Sequence, residues 1–331
     1  MRLASFHADG RDRIGFELTE GRLVDAADAL RVAGGAAAAT PLADMLALIR
    51  AGASALNALR SAHARALEAR DELRTYGADE VRWRAPVPSP SKVVCLALNN
   101  RALDAIKIRA PTDHPAFFLK PSTAVTGHRC PIRLRASFGL THPEPELGVV
   151  IGHTLKDVSH AAAIEGVFGY TIVNDITSVG MREEDSFSVR YFKPGPMPGE
   201  VTVGEGHTTY PGRYKASDTF APMGPFLVTR DEIPDPAALK IDCRLGDTLV
   251  ASDHTSNYVW GVAAALAHIS RTMTLLPGDV VSMGTAVGGD ADDPHAPEVP
   301  GVTRANLVGF AGDVSITISK LGTLTNSIQI I

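Results

Sequence analysis

The sequence is poor in cysteine: Cys95, Cys130 and Cys243 are the only three among 331 residues, they lie far apart, and no CxxC pair occurs. This excludes a disulfide scaffold and a thiolate metal cluster, and leaves three small buried or partly buried side chains as the plain reading. Long apolar runs are missing too, none approaching the roughly 18 to 20 residues needed to cross a bilayer. The opening MRLASFHADGRDR has no apolar stretch of the secretory kind. A cytoplasmic protein with no membrane partner is therefore expected. Nor is charge of one sign concentrated anywhere. The 32 Lys and Arg against 37 Asp and Glu leave a formal net charge of -5 without a basic block, which argues against a nucleic-acid partner. Nucleotide loops are absent as well: there is no GxxxxGK[ST], no strand-bound GxGxxG, and GDADDPHAPEVPG at 289–301 is not a phosphate loop.

What is present is a chain with 45% hydrophobic residues, enough for a large core. FELTEGRLVDA reads as a small hairpin, and Leu42, Met45, Leu46, Leu48, Ile49, Leu56 and Leu59 read as two helices separated near Gly52. PVPSPS at 86–91 carries three prolines and marks the best boundary. It divides a small N-terminal accessory domain, 1–85, from a larger unit, 92–331. The larger unit is a succession of β-prone runs, with one long helix expected over Asn257–Arg271 behind the capping residues DHTS. These patterns predict an α+β fold with a mixed or antiparallel β-rich catalytic or binding domain. The Gly-, Pro- and charge-rich stretch at 179–211 reads as a long excursion, either a lid over a site or a solvated insertion.

Acidic chemistry centres on THPEPELGVVIG. In a strand, Glu144 and Glu146 point to one side, where like charges near a core call for a compensating cation; an exposed sheet edge would need none. YTIVND delivers Asp175 at the end of another apolar strand as a third carboxylate. Three carboxylates suit a hard ion, Mg2+ or Mn2+ with Ca2+ possible, better than Zn2+. In GRYKASDTF, Arg213 and Lys215 would face the same way if extended, to bind an anion and stabilise an enolate, or they form an ordinary surface pair. In MGTAVGG, Thr285 could donate to a substrate oxygen while Gly284 permits close backbone approach.

Taken together, ALNNR at 97–101, FFLKPSTAVTG at 117–127, EPELGVVIG at 144–152, GYTIVND at 169–175, YKASDTFAPMGPFLV at 214–228 and LLPGDVVSMGTAVG at 275–288 resemble the fumarylacetoacetate hydrolase family. The resemblance runs from about Val93 to the C-terminus. It implies a mixed, rolled β-sandwich, a homodimer and a divalent ion in the site. It also implies that Glu144, Glu146 and Asp175 are metal ligands, that Lys215 is the active-site lysine, and that Thr285 belongs to a substrate-binding GT turn. Arg101 matches the arginine of a GLNYRDH-like segment that helps build an anion pocket.

One departure stands out. Hydrolases and decarboxylases of the family commonly place a histidine two residues after that arginine and a glutamate a few residues later, a dyad that activates water. Here ALDAIKIRA follows Arg101, so Leu103 takes the histidine place, and leucine moves no proton. Replacement bases are a metal-bound hydroxide or His207 in the excursion, oriented by Glu183, Glu184 or Asp185, with Asp104 weaker; His142, two residues before Glu144, would support the ligands. The expected activity is metal-dependent hydrolysis of a carbon-carbon bond in an acylpyruvate or 2,4-diketo acid through a metal-stabilised enolate. Isomerisation, hydration or decarboxylation of an unsaturated 2-oxo acid uses the same platform. A metal-dependent binder of an anionic small molecule, without turnover, is the alternative outside enzymology.

Overall fold

The computed structural model describes residues 1–19, 21–34, 42–107, 111–288 and 305–331. The GDADDPHAPEVPG segment and residues 108–110, after Arg101, lie outside these.

Two strands make the spine of the molecule. Pro145–Ile151 pairs antiparallel with Val167–Asn174, and every residue of both is buried. Their near-continuous apolar sequences, PELGVVI and VFGYTIVN, suit strands covered on both faces. On one side, Val280–Ser282 pairs with Pro145–Ile151 and continues in parallel to Val93–Ala97, which in turn pairs with Ala116–Lys120. On the other side, Val167–Asn174 pairs with Ala221–Thr229. The result is a sheet of mixed direction, and the polar ends of its buried strands are delivered to one place.

The N-terminal residues build onto this sheet. Arg2–Ala8 pairs antiparallel with Ala221–Thr229, so the first strands belong to the same twelve-stranded sheet. The FELTEGRLVDA hairpin forms between Arg11–Thr19 and Arg22–Asp25, with Gly21 at φ +72° in the turn. The helix Met45–Glu68 is broken at Gly52, whose φ of 68° is left-handed, in agreement with two helical pieces. Leu48, Ile49 and Leu59 of this helix belong to the same buried cluster as Val93, Val150 and Phe168, so its apolar stripe covers one face of the sheet.

A second sheet of five strands, Thr248–His254, Lys240–Leu245, Asp313–Ile318, Gly322–Ile330 and Ile132–Leu134, packs into the other cluster. Here burial alternates: Ile241, Cys243 and Leu245 are buried, and the residues between them are more exposed. This is the mixed, sheet-rich α+β architecture the patterns predict. No described helix is long and apolar enough to cross a membrane.

One expectation needs correcting. The late helix spans Val262–Thr272 and starts after Gly261; Thr255–Asn257 forms a short 3-10 turn instead. Asn99 explains the delay: its Oδ1 accepts from Trp260 N at 2.8 Å and its Nδ2 donates to Trp260 O at 3.0 Å, which holds that residue off the helical path. Val259 accordingly lies exposed rather than on the buried face with Leu266 and Ile269. The 179–211 excursion is ordered as a helix, Val179–Glu184, and a ribbon of two strands, Ser186–Pro194 and Val201–Thr209, that joins neither larger sheet.

Candidate metal centre

The two spine strands carry the acids. Register places Glu146 opposite Val173 and Pro145 opposite Asn174, so Glu144 lies just beyond the paired region beside Asp175. The junction is fastened by two hydrogen bonds: Glu144 N donates to Asn174 Oδ1 at 3.0 Å, and Asp175 N donates to Glu144 O at 2.9 Å. One carboxylate oxygen from each of Glu144, Glu146 and Asp175 lies within 4.8 Å of the other two, and Glu146 and Asp175 are buried.

Each carboxylate is held in its own way. Glu146 Oε2 accepts from Ser282 Oγ at 2.6 Å and from Gly284 N at 2.8 Å. Gly284 sits at φ +101°, and a Cβ there would stand 2.8 Å from Asn99 Cβ, so the close approach of this amide requires glycine. Glu144 Oε1 accepts from Thr177 Oγ1 at 2.7 Å, and its Oε2 from Lys215 Nζ at 2.8 Å. Lys215 also donates to Asp175 Oδ2 at 2.7 Å and stands over the Phe118 ring.

A second lysine completes the arrangement. Lys120 is wholly enclosed, its Nζ 2.5 Å from Asp175 Oδ1, while it donates to the carbonyls of Ile176 at 3.1 Å and Phe220 at 2.6 Å. The approach to Asp175 is an ion pair without hydrogen-bond geometry, so the buried Oδ1 is left with no hydrogen-bond donor.

Electrostatics follow from this packing. Burial works to raise the Glu144 carboxyl, but the charges of Lys215 and His142 and the bonds from Lys215 and Thr177 outweigh it and bring it down to about 2. Glu146 moves the other way: burial and the neighbouring charges of Asp175 and Glu144 hold it well above the ordinary carboxyl value. Burial alone would lower Lys215, yet Asp175 and Glu144 raise it above the usual lysine range and fix it as a cation. Cys95 beneath the site is pushed up by burial and then by Asp175, an inert thiol.

These residues fit a divalent ion. Three carboxylates outnumber two lysines by one, Asp175 presents an unsatisfied buried oxygen, and the donor set is all oxygen. The Glu144, Glu146, Asp175 and Lys215 constellation read from the sequence is thus brought together in space.

Other candidate residues lie differently. Thr285 follows the Gly284 amide bound to Glu146, half-buried, with its hydroxyl donating to Ala286 O at 3.1 Å. Arg101 is exposed and donates to Ser256 O at 2.7 Å. His142 Nε2 stands 4.0 Å from Glu144 Oε1. Arg213 does not share a side with Lys215, because Arg213–Ala216 is a single helical turn and not an extended segment. Lys215 points inward, whereas Arg213 points out to Asp185 at 2.6 Å and Glu184 at 2.9 Å. His207 is exposed on the ribbon opposite Ser188, and the acids nominated to orient it include the two that Arg213 engages. Asp104 is exposed and paired with Lys107 at 2.7 Å. Leu103 is 5% exposed and packs into the larger core cluster.

Sequence reasoning missed Lys120, Thr177 and Ser282. FFLKP did hold a signal, a lysine ending an apolar strand, but its partner Asp175 is 55 positions away in the chain and only folding reveals the pair. Hydroxyls such as Thr177 and Ser282 are too common to single out.

Fold and site define the class: a sheet-rich protein with two buried lysines beside a carboxylate triad that fits a divalent ion. The profile described as fumarylacetoacetate (FAA) hydrolase C-terminal matches residues 92–329, and the chain belongs to that family. Oxaloacetate tautomerase YisK of Bacillus subtilis is 32% identical over 279 residues, covering 81% of this chain and 82% of the relative. The 2,4-didehydro-3-deoxy-L-rhamnonate hydrolase of a Sphingomonas species is 31% identical over 248 residues, 74% of this chain and 75% of the relative. Among solved structures, maleylpyruvate hydrolase from Sphingobium sp. SYK-6 in complex with manganese(II) ion and pyruvate is 27% identical, with a TM-score of 0.68 over 99% of this chain and 98% of that one. Family members are thus enzymes, and hydrolases and a tautomerase are among them.

Proposed function

We propose that this protein is an enzyme that moves a proton at the carbon next to the carbonyl of a small anionic 2-oxo acid, a tautomerase or isomerase acting through the substrate's enolate. The observation that carries this reading is Leu103: the position that would supply a water-activating histidine holds a buried leucine, while the charged platform is complete. Glu144, Glu146 and Asp175 would hold Mg2+ or Mn2+; manganese is the ion named in the related maleylpyruvate hydrolase structure. When bound, the ion supplies Lewis-acid polarisation of the 2-oxo acid oxygens.

The chain's own residues do the rest. Lys215, fixed as a cation by its two ion pairs, stabilises negative charge that develops on the carbonyl oxygen as the proton leaves. Lys120 holds Asp175 in place from the opposite side. Thr285 and Arg101 form the walls that orient the substrate carboxylate. Among the described residues one histidine, His142, comes within ion-pair reach of the triad, and it is the group we assign to relay the proton. Arg213 and His207 have no part in this reading, since the first is engaged by Glu184 and Asp185 and the second lies exposed on the ribbon.

Carbon-carbon hydrolysis of an acylpyruvate or 2,4-diketo acid is the second reading, favoured by the hydrolases among the relatives. One experiment separates them. Metal-free protein is supplied with Mg2+ or Mn2+ in D2O, and oxaloacetate and a panel of acylpyruvates are followed by NMR. Metal-dependent deuterium exchange at the carbon beside the 2-oxo group, with the skeleton intact, supports proton transfer. Release of pyruvate from an acylpyruvate establishes hydrolysis instead, and metal binding with neither change leaves a binder.

A further inference from the structure

Outside the triad, Asp253 carries an unusual load. Its Oδ2 accepts from Asn100 Nδ2 at 2.9 Å, Val287 N at 2.8 Å and Gly288 N at 3.2 Å. Its Oδ1 accepts from His254 N at 2.7 Å and Asn257 Nδ2 at 2.6 Å. Five donors from three separate stretches of chain meet on one carboxylate. DHTS, which does not begin the late helix, instead turns its aspartate into the structure that presents Thr285.

The connections run to both proposed substrate walls. Asn100 uses the same Nδ2 to reach Thr285 O at 3.1 Å, and its Oδ1 caps the turn that begins with Arg101 by accepting from Ala102 N at 2.9 Å. Arg101 donates to Ser256 O, within the loop that Asp253 also ties through Asn257. On its far side the 282–288 segment meets the triad, through Ser282 and Gly284 to Glu146 and through Ala286 N to Pro145 O at 2.9 Å. Asp253 touches none of the three carboxylates.

We infer that Asp253 is a positioning residue that sets the separation and orientation of the Arg101 and Thr285 walls, and so governs affinity for the 2-oxo acid without governing the metal. The inference rests on the reading of those walls given above. A carboxylate is needed because all five partners are donors; an asparagine of the same shape keeps one acceptor oxygen and turns an NH2 toward at least two of them.

The test uses the full chain with Mn2+ bound and oxalate as a non-reacting 2-oxo acid mimic. In Asp253→Asn, oxalate Kd and the KM for substrate should rise about tenfold, kcat should stay within about twofold, and Mn2+ affinity should not change, the pattern of lost substrate binding. Asp242→Asn is the control, since Asp242 accepts from Ser252 Oγ at 2.7 Å and pairs with Lys240 at 3.0 Å, both on the same strand pair; it should leave Kd and KM alone. A folded Asp253→Asn with wild-type oxalate Kd and KM overturns the inference, even if its Tm falls. If Asp253→Asn does not fold, Asn100→Ser removes the link to Thr285 while sparing Val287 and Gly288, and the same two outcomes apply. Wild-type protein that binds Mn2+ but neither oxalate nor any 2-oxo acid overturns the functional reading itself, a result distinct from a silent Asp253.

Discussion

Replacing Lys120 with methionine is the perturbation whose effect follows most directly from the structure. Methionine keeps the length and the apolar stem, and it removes one charge from a pair in which both side chains are enclosed, 0% and 1% exposed. Among the described residues Asp175 would keep Lys215 as its cation, the carbonyl of Ile176 would lose its donor, and that of Phe220 would keep only Ile176 N at 3.1 Å. Breaking one side of a buried ion pair costs about 3 to 5 kcal/mol, against roughly 0 to 1 for an exposed pair. With an unfolding entropy of about 2.1 cal/mol/K per residue, a chain of 331 residues has about 0.7 kcal/mol/K, so Tm should fall by about 4 to 7 °C. Thermal unfolding of metal-free protein followed by circular dichroism measures it. Mn2+ should return part of the loss, because an ion bound to the native state alone both stabilises it and restores positive charge beside Asp175. Arg190→Ala, which opens an exposed pair with Glu205, is the comparison and should shift Tm little. A Lys120→Met protein with wild-type Tm in the absence of metal would refute the claim that this lysine balances Asp175.

Four further outcomes are expected. Glu146→Gln should lower Mn2+ affinity about 100-fold or more, since even outer partners of a ligand are worth 10- to 100-fold, while metal-free Tm holds because Glu146 is already biased toward its neutral form; unchanged affinity by calorimetry would remove Glu146 from the ligand set. Because the metal-free fold keeps the Glu146 proton above its ordinary 4.5 and a ligand must shed it, metal binding should release up to about one proton and tighten as pH rises. Binding heats independent of buffer ionisation would contradict that sign. Lys215→Met should cut turnover about 100- to 1000-fold with a much smaller change in metal affinity, as for a lost oxyanion donor; full turnover would end its catalytic assignment. His207→Ala should leave kcat/KM unchanged, and a clear loss would bring the ribbon over the site.

What the sequence revealed and what it concealed divide along a physical line. Glu144, Glu146 and Asp175 could be read because strand periodicity and an apolar approach are local signals, and the kink at Gly52 could be read because a glycine interrupts a helical stripe. Arg213 was misplaced because a four-residue turn carries no periodicity of its own, and reading it as extended put two basic residues on one side that the turn sends apart. The start of the late helix was placed early for a related reason: Asn99, 161 positions before Trp260, holds that residue by two hydrogen bonds, and no local propensity encodes such a clamp. Lys120 and Asp253 were hidden in the same way, since each gains its meaning from partners far off in the chain.

The site separates into a fixed part and a variable part, and the separation bears on what reaction follows. Glu146 is pinned by Ser282 and Gly284, Asp175 lies between two lysines, and Glu144 is bridged by Thr177 and Lys215. None of these groups can take a proton from water while serving as anchor or counter-charge. Water would be activated either by the bound ion or by a group on the rim, and the relatives, a tautomerase and a hydrolase each little more than 30% identical to this chain, carry different reactions in their names. In this chain the rim turn beginning at Arg101 sends Leu103 into the core, so the position that would carry a water-activating histidine faces apolar packing. A platform that favours an enolate, beside a rim that brings no base to water there, favours reactions in which only a proton moves.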